Sequence, residues 1–401
     1  MPQQAHTEVE QLFRRSYSKL LSSLIVRFGT AEMSRIEDAV MEAYLGALKN
    51  WPHEGTPSNP EGWLYKVSFR KLLNSKALKQ NQSSEIDYIA DLSDEQEADN
   101  WDLHEVKDPE LRLLFMICHP DLKKEDQLAF TLKTISGFGR KEIAASLLQS
   151  EETIKKRLAR SRKFIKENQL VFDWPEKKEI ETRIEIVHKA LYLLFNEGYY
   201  SSHADRKVHK DFCLEAMRLC KYLCDHPIGN ADSKALMSMM CFHISRFEGR
   251  LDESGNLILL RDQDRSKWDP YFIKLGDHYL SQCTTLHGEK TAWQIEAVIS
   301  GQHSYATSIE TTNWDFLEML YNALYDVKPE KLVLLNLVLV LIMAGKLGKA
   351  KKLFEELNEN DFGRYKTNYF FTGVELYKKL SDQFQTDLWM QKAMENSSQA
   401  K

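Results

Sequence analysis

Apolar side chains recur at helical spacing along almost the whole chain, and that period argues against a sheet-built fold before any motif is considered. Val9, Leu12, Phe13, Tyr17, Leu20, Leu21, Leu24, Ile25 and Phe28 trace one helix, with Gly29 where a C-cap glycine belongs. Ser34 and Glu37 have the spacing of a capping box, and Ile36, Ala39, Val40, Ala43, Tyr44, Ala47, Leu48 and Trp51 then trace the apolar face of a second helix. Only 17 glycines and 10 prolines interrupt 401 residues, so the expected fold class is all-α. Two or three domains are expected at this length.

Charge divides the chain into segments. Residues 1–82 carry a small basic excess, residues 83–110 hold eleven acidic residues against one basic, and residues 111–167 are basic again, thirteen against seven. The acidic strip, with Asp87, Asp91, Asp94, Glu95, Glu97, Asp99 and Asp102, has little apolar periodicity and reads as a solvated linker. Basic blocks on either side of it raise nucleic acid as a partner. The longest apolar run, Leu332 to Gly345, is broken by Asn336 and falls short of the ~20 residues a membrane span needs. Met1 to Glu10 has no basic-then-apolar signal pattern, so the expectation is a cytoplasmic protein with reduced thiols at its six cysteines.

The second helix has an unusual outer face. Asp38, Met41, Glu42 and Leu45 alternate acidic and large apolar side chains where solvent is expected, a mixture that suits a protein partner as well as it suits scattered surface residues. From Trp51 to Trp63 three prolines and two glycines predict a loop, holding His53 and Asn59. A third helix from about Pro60 interleaves Trp63, Tyr65 and Phe69 with Lys66, Arg70 and Lys71. Rings among cations suit single-stranded nucleic acid, whose bases stack while Lys and Arg follow phosphates. The same rings suit a core against the first two helices, and both readings stay open.

In the second basic block, Leu111 to Ile117 reads as a helix stopped by Pro120, and Glu125 to Ile135 as another stopped by Gly137 and Gly139. Arg140 to Leu148, a Gln149-Ser150 turn with Ser150 as N-cap, and Glu151 to Lys166 form a helix-turn-helix pattern. Ile154, Leu158, Ser161 and Ile165 share the face that packs on Ile143, Ala144 and Leu147. The opposite surface offers Glu152, Lys156, Ala159, Arg160 and Lys163, flanked by Lys155, Arg157 and Arg162, to a DNA major groove and its phosphates.

These residues resemble bacterial RNA polymerase sigma factors of the extracytoplasmic-function type. The resemblance rests on Glu37-Asp38-Ala39-Val40-Met41-Glu42-Ala43-Tyr44, on Trp63-Leu64-Tyr65-Lys66-Val67, and on Glu142-Ile143-Ala144 with Glu152 to Arg162, in that order. Asp108 to Phe115 with Cys118-His119-Pro120, Leu193 to Tyr199, and Gln263 to Trp268 resemble the subgroup with a long helical C-terminal extension. The resemblance implies sigma region 2 over 8–80, the acidic linker over 81–107, region 4 over 108–168 and a helical regulatory extension over 175–401. It implies core RNA polymerase as partner, through the β′ clamp helices at Asp38, Met41, Glu42 and Leu45 and through the β flap. The −10 element would be held as a single strand by His53, Asn59, Trp63, Lys66, Arg70 and Lys71. The −35 duplex would be read by Glu152, Thr153, Lys155, Lys156, Arg157, Arg160 and Lys163. Met41 stands where the family has Gln, and Phe69-Arg70, Asn74 and Ala77-Leu78 depart from its third-helix pattern, so that pattern does not fix the −10 preference.

In the extension, Leu334, Leu337, Val338, Leu341, Gly345, Ala350, Phe354 and Leu357 fit a tetratricopeptide-like helix pair, and Thr312-Asn313 caps a helix bearing Trp314, Leu317, Leu320, Tyr321 and Leu324. The resemblance suggests that the extension acts in cis on the sigma part, with Asn196, Glu197, Tyr199, Asp264, Arg265 and Trp268 as internal contacts. Cys213, Cys220, Cys224, His226, Cys241 and His243 lack paired metal-ligand spacing, and no nucleophile motif is present, so no metal, cofactor or catalytic activity is expected. The rival function is a stand-alone helix-turn-helix regulator whose helical tail senses a ligand or peptide.

Overall fold

The computed structural model describes residues 2–77, 107–147, 149–168, 170, 175–199, 210–250, 252, 258, 260–283 and 290–399. Among them every regular element is helical and none is a strand, as the apolar period predicts. The acidic strip falls almost wholly outside the described residues. The chain divides into two compact units, Met1–Ile228 and Gly229–Lys401.

The first unit holds nine helices among the described residues: α1 (Pro2–Phe28), α2 (Met33–Glu54), α3 (Pro60–Ala77), α4 (Lys107–Ile117), α5 (Lys124–Ser136), α6 (Arg140–Ser146), α7 (Glu151–Asn168), α8 (Lys177–Tyr199) and α9 (Lys210–Asp225). Leu20, Leu21, Leu24 and Ile25 of α1 and Ile36, Val40 and Ala43 of α2 are fully buried, which makes this pair the core of the N-terminal block. Gly29 ends α1 at φ +84°. The expected Ser34–Glu37 capping box does not form, because α2 begins two residues earlier, at Met33, with Glu32 at the N-cap. Glu37 is instead buried and turned toward Arg162. The expected loop after Trp51 also starts late: Pro52 stays inside α2, and the helix ends at Gly55, whose φ is +87°.

Helix α1 packs on α4, α5 and α9 as well as on α2 and α3, so both basic blocks share one compact unit. Gly137, at φ +66°, closes α5 where a Cβ would come within 2.6 Å of the Phe13 ring. The unit boundary also differs from the expected start of the extension at 175. Helices α8 and α9 pack on α4, α5 and α1, so the extension's first two helices complete the first unit.

The second unit contains α10 (Ala231–Ile244), α11 (Pro270–Cys283), α12 (Ala292–Tyr305), α13 (Trp314–Val327), α14 (Lys331–Met343), α15 (Leu347–Glu355), α16 (Lys366–Lys379) and α17 (Gln383–Gln399). Each helix packs on the next, α14 on α15 across Gly345 at φ +73°. Val338, Leu341, Ala350, Phe354 and Leu357 of the expected helix pair form the buried cluster that α16 and α17 cover. Asn313 caps α13, its Oδ1 accepting the Phe316 N–H at 3.0 Å. The six cysteines are free, and all but the half-buried Cys224 are buried. Burial pushes the Cys118 thiol up to about 12 and the Cys283 thiol up to about 11. No helix among the described residues is long and apolar enough to cross a membrane, and none of their His, Cys, Asp or Glu side chains cluster in threes suited to a metal ion.

Candidate nucleic-acid interface

Helix α7 is started by Ser150, whose Oγ accepts the Thr153 N–H at 3.2 Å and lies 2.8 Å from the Thr153 hydroxyl. Its apolar stripe Ile154, Leu158, Ser161 and Ile165 is buried, and Ile143 and Ala144 of α6 are buried across from it. That packing turns Glu152, Lys155, Lys156 and Lys163 outward, all exposed. Among the described residues their ionic partners are neighbours along the helix: Glu152 at 3.9 Å for both Lys155 and Lys156, and Glu167 at 3.7 Å for Lys163. Such exposed pairs are weak and yield readily to a phosphate.

The two arginines of the set are held differently. Buried Asp126 of α5 accepts Arg160 Nε at 2.9 Å and Nη2 at 2.8 Å, and Arg157 Nη1 at 3.1 Å. Burial alone would raise the Asp126 carboxyl, but the Arg160 and Arg157 guanidiniums hold it below the usual carboxylate range. Arg157 is thus a brace between α7 and α5, while Arg160 remains half exposed and keeps one side toward solvent. Sequence reading missed Asp126 because an acidic residue in the first turn of a helix is ordinary there.

On α2, Asp38, Met41, Glu42 and Leu45 are all exposed, Leu45 at 59%. Lys71 of α3 forms an ion pair with Glu42, which joins one residue of the expected −10 set to the stripe. Asn59 serves as a cap, its Oδ1 accepting the Gly62 N–H at 2.9 Å. Trp63 is half-buried, edge-on to Trp51 at 5.3 Å, and Phe69 is buried against Phe28 and beneath the Arg27 guanidinium. His53, Arg70 and Lys71 are exposed and Lys66 is half-buried. The structure therefore sends the cations outward and directs Trp63 and Phe69 toward the core, with Tyr65 half-buried between.

Long-range ionic contacts tie the segments together. Arg162 of α7 donates from Nη2 at 2.8 Å and Nε at 3.1 Å to Glu37 of α2. Burial still raises the Glu37 carboxyl, with Arg162 opposing the rise. Glu110 of α4, fully buried, accepts the Ser18 hydroxyl of α1 at 2.6 Å and Arg218 of α9 at 2.7 and 2.8 Å. Arg218 also pairs with Glu215 at 2.5 Å. Arg183 of α8 donates to the Phe115 carbonyl at 2.9 Å, and Arg14 lies over the Phe212 ring at 4.1 Å.

The expected extension contacts divide between the units. Buried Glu197 accepts the Ser146 hydroxyl of α6 at 2.7 Å, which links α8 to the helix-turn-helix, and Tyr199 stacks on Phe195 at 5.7 Å. Asn196 is half-buried on the same helix. Asp264, Arg265 and Trp268 contact their own, second unit. Asp264 caps a short turn through Ser266, Arg265 donates to the His303 and Ala306 carbonyls, and buried Trp268 lies within 5.2 Å of Arg246 and 5.0 Å of Arg265.

Residues 113–165 match the family "Sigma-70, region 4", which spans α4 to α7, and residues 183–284 match a family of unknown function, DUF6596, from α8 to just past the end of α11. A Rhizobium meliloti (strain 1021) protein, "Uncharacterized protein R00370", is 31% identical over 305 residues, covering 75% of this chain and 72% of that protein. No solved structure matches.

Proposed function

Because the chain belongs to the same family as the Rhizobium meliloti protein R00370 and is sigma-factor-like through its region 4, we propose that it is an RNA polymerase sigma factor of the extracytoplasmic-function type. In this reading α2 docks on the β′ clamp helices through Asp38, Met41, Glu42 and Leu45, and region 4 contacts the β flap. The exposed face of α7 reads the −35 duplex through Glu152, Thr153, Lys155, Lys156, Arg160 and Lys163, with Arg157 setting the pose of the helix. The loop around His53 and the cationic edge of α3, with Lys66, Arg70 and Lys71, hold the −10 strand, and Asn59 and Trp63 shape that edge. The tetratricopeptide-like second unit regulates the first in cis, and the protein works in the cytoplasm without catalytic chemistry of its own.

One observation carries the reading. A capped helix-turn-helix with three outward lysines shares a compact unit with an exposed acidic and apolar stripe on α2. A stand-alone regulator needs the first feature and has no use for the second. Run-off transcription with purified core polymerase on a promoter library tests it. Specific transcripts from the full chain support the sigma reading. Promoter-length DNA binding that neither needs nor recruits core polymerase favours the stand-alone regulator.

A further inference from the structure

Two groups of helices meet inside the first unit, α1 to α3 on one side and α4 to α9 on the other. Across the seam α1 packs on α4, α5 and α9, and the turn Thr30–Glu32 packs on α7. Polar side chains fasten it in two places. Arg162 donates to Glu37 at 2.8 and 3.1 Å, and Thr30 Oγ1 donates to the Leu170 carbonyl at 2.6 Å. Elsewhere on α1, Ser18 donates to Glu110, and Arg14 lies 3.5 Å from Glu142 and over the Phe212 ring. Helix α9 therefore closes the seam from the extension: Phe212 meets α1 directly, and Arg218 holds the Glu110 carboxylate that Ser18 binds.

The Glu37–Arg162 pair also limits how far apart the two promoter-facing surfaces can be. At 1.5 Å per residue, His53 lies about 24 Å from Glu37 along α2, and Glu152 about 15 Å from Arg162 along α7. The two paired side chains add about 15 Å, so the surfaces are at most about 55 Å apart. Helix α3 runs back along α2, as the Trp51–Trp63 contact and the Lys71–Glu42 pair show, so Lys71 is nearer still. A −10 and a −35 element lie about 25 base pairs apart by position, or about 85 Å of duplex. Bringing them within about 55 Å would turn the duplex through roughly 170°, well past the roughly 40–90° of ordinary bent sites.

We propose that this packing is a self-restrained form of the protein, able to engage one promoter element at a time, and that α1–α3 must part from α4–α9, with α9 as the clasp, before both are read. The proposal rests on the promoter contacts assigned above. The α7 lysines and the α2 stripe are exposed in the closed form, so the restraint lies in the distance between sites and covers neither of them. The 29 residues between Ala77 and Lys107 can reach about 95–105 Å when extended, enough to permit the separation.

The test places spin labels at Lys49→Cys and Glu151→Cys of the full chain, in a Cys224→Ser background, and measures their separation by double electron–electron resonance. Both positions are exposed, and neither belongs to the proposed contact sets. The free chain should show at most about 50 Å, and a complex with core polymerase and promoter DNA at least about 70 Å. Glu37→Gln with Arg14→Ala cuts the seam in both places. That pair should populate the long distance in the free chain and tighten apparent binding to polymerase and promoter together about tenfold. A free chain that already shows the long distance, or a transcribing complex that keeps the short one, overturns the proposal and leaves the sigma reading standing. Variants that move neither distance nor affinity overturn it as well. A chain that neither binds core polymerase nor yields transcripts defeats the sigma reading itself, and the restraint on promoter reading falls with it.

Discussion

Replacing Arg218 with alanine should damage the first unit far more than its place in the extension suggests. Glu110 is fully buried and would lose both guanidinium bonds, of 2.7 and 2.8 Å, retaining only the Ser18 hydroxyl. Glu215 would lose its partner as well. Removing one member of a buried ion pair costs about 3–5 kcal/mol, because the remaining charge stays out of water. That is a large share of the ~5–15 kcal/mol that separates folded from unfolded domains. On a urea slope of about 2–3 kcal/mol/M the midpoint should fall by roughly 1–2.5 M. Amide exchange in α1 and α4 peptides reports this unit separately from the second. Burial already raises the Glu215 carboxyl. A carboxyl raised in the folded state favours folding when protonated and loses that contribution as pH climbs through its folded value, so the variant's deficit should shrink from pH 7.5 to pH 5. Glu110→Gln with Arg218→Met removes the charge at Glu110 and keeps an acceptor for Ser18, but Glu215 stays buried without its partner, so the double variant should recover about half of the deficit. A single-variant deficit below about 1 kcal/mol, or a double variant as unstable as the single, would refute the reasoning.

Leu45→Asp places a charge where a partner would bury a side chain now 59% exposed. Folding should change by less than ~0.5 kcal/mol, while core polymerase binding, followed by fluorescence anisotropy, should weaken at least about thirtyfold because apolar burial is replaced by a desolvated carboxylate. Joint replacement of Lys155, Lys156 and Lys163 by alanine should lower affinity for a −35 duplex and flatten its salt dependence, the slope falling by up to ~0.9 for each phosphate no longer neutralised, with stability unchanged. Asp126 has a lowered carboxyl, so its contribution is full above the ordinary carboxyl value of about 3.9 and fades as pH falls through the lowered one. Circular dichroism of Asp126→Asn should therefore show lower stability at pH 7 and a shallower loss below about pH 4.

Periodic features are legible in the sequence. The buried stripe of α7, the Ser150 cap and the exposed α2 stripe each repeat or terminate within a few residues, so local spacing reveals them. Pairings between distant residues are not legible. Glu37 has the spacing of half a capping box, yet its partner Arg162 lies 125 residues away. Arg157 and Arg160 look equivalent to the lysines beside them, and only the fold brings Asp126 beneath both. Pro52 marks the end of α2 in composition, but a helix can run through a proline for its last turn when Gly55 is there to close it. The boundary between the two units is hidden for a related reason. Helices α8 and α9 follow the region 4 pattern in sequence, whereas Arg183, Glu197 and Arg218 bind them into the first unit.

The buried cysteines equip the chain with internal reporters of opening. Thiolate is the species that alkylating agents and peroxides attack, and burial suppresses it at Cys118 and Cys283. A thiol reagent therefore modifies these sites in proportion to how often the surrounding helices part. Cys118, Cys213 and Cys220 belong to the first unit and Cys241 and Cys283 to the second. The order in which mass spectrometry finds them labelled is a clock for each unit, started by adding the reagent and needing no engineered probe.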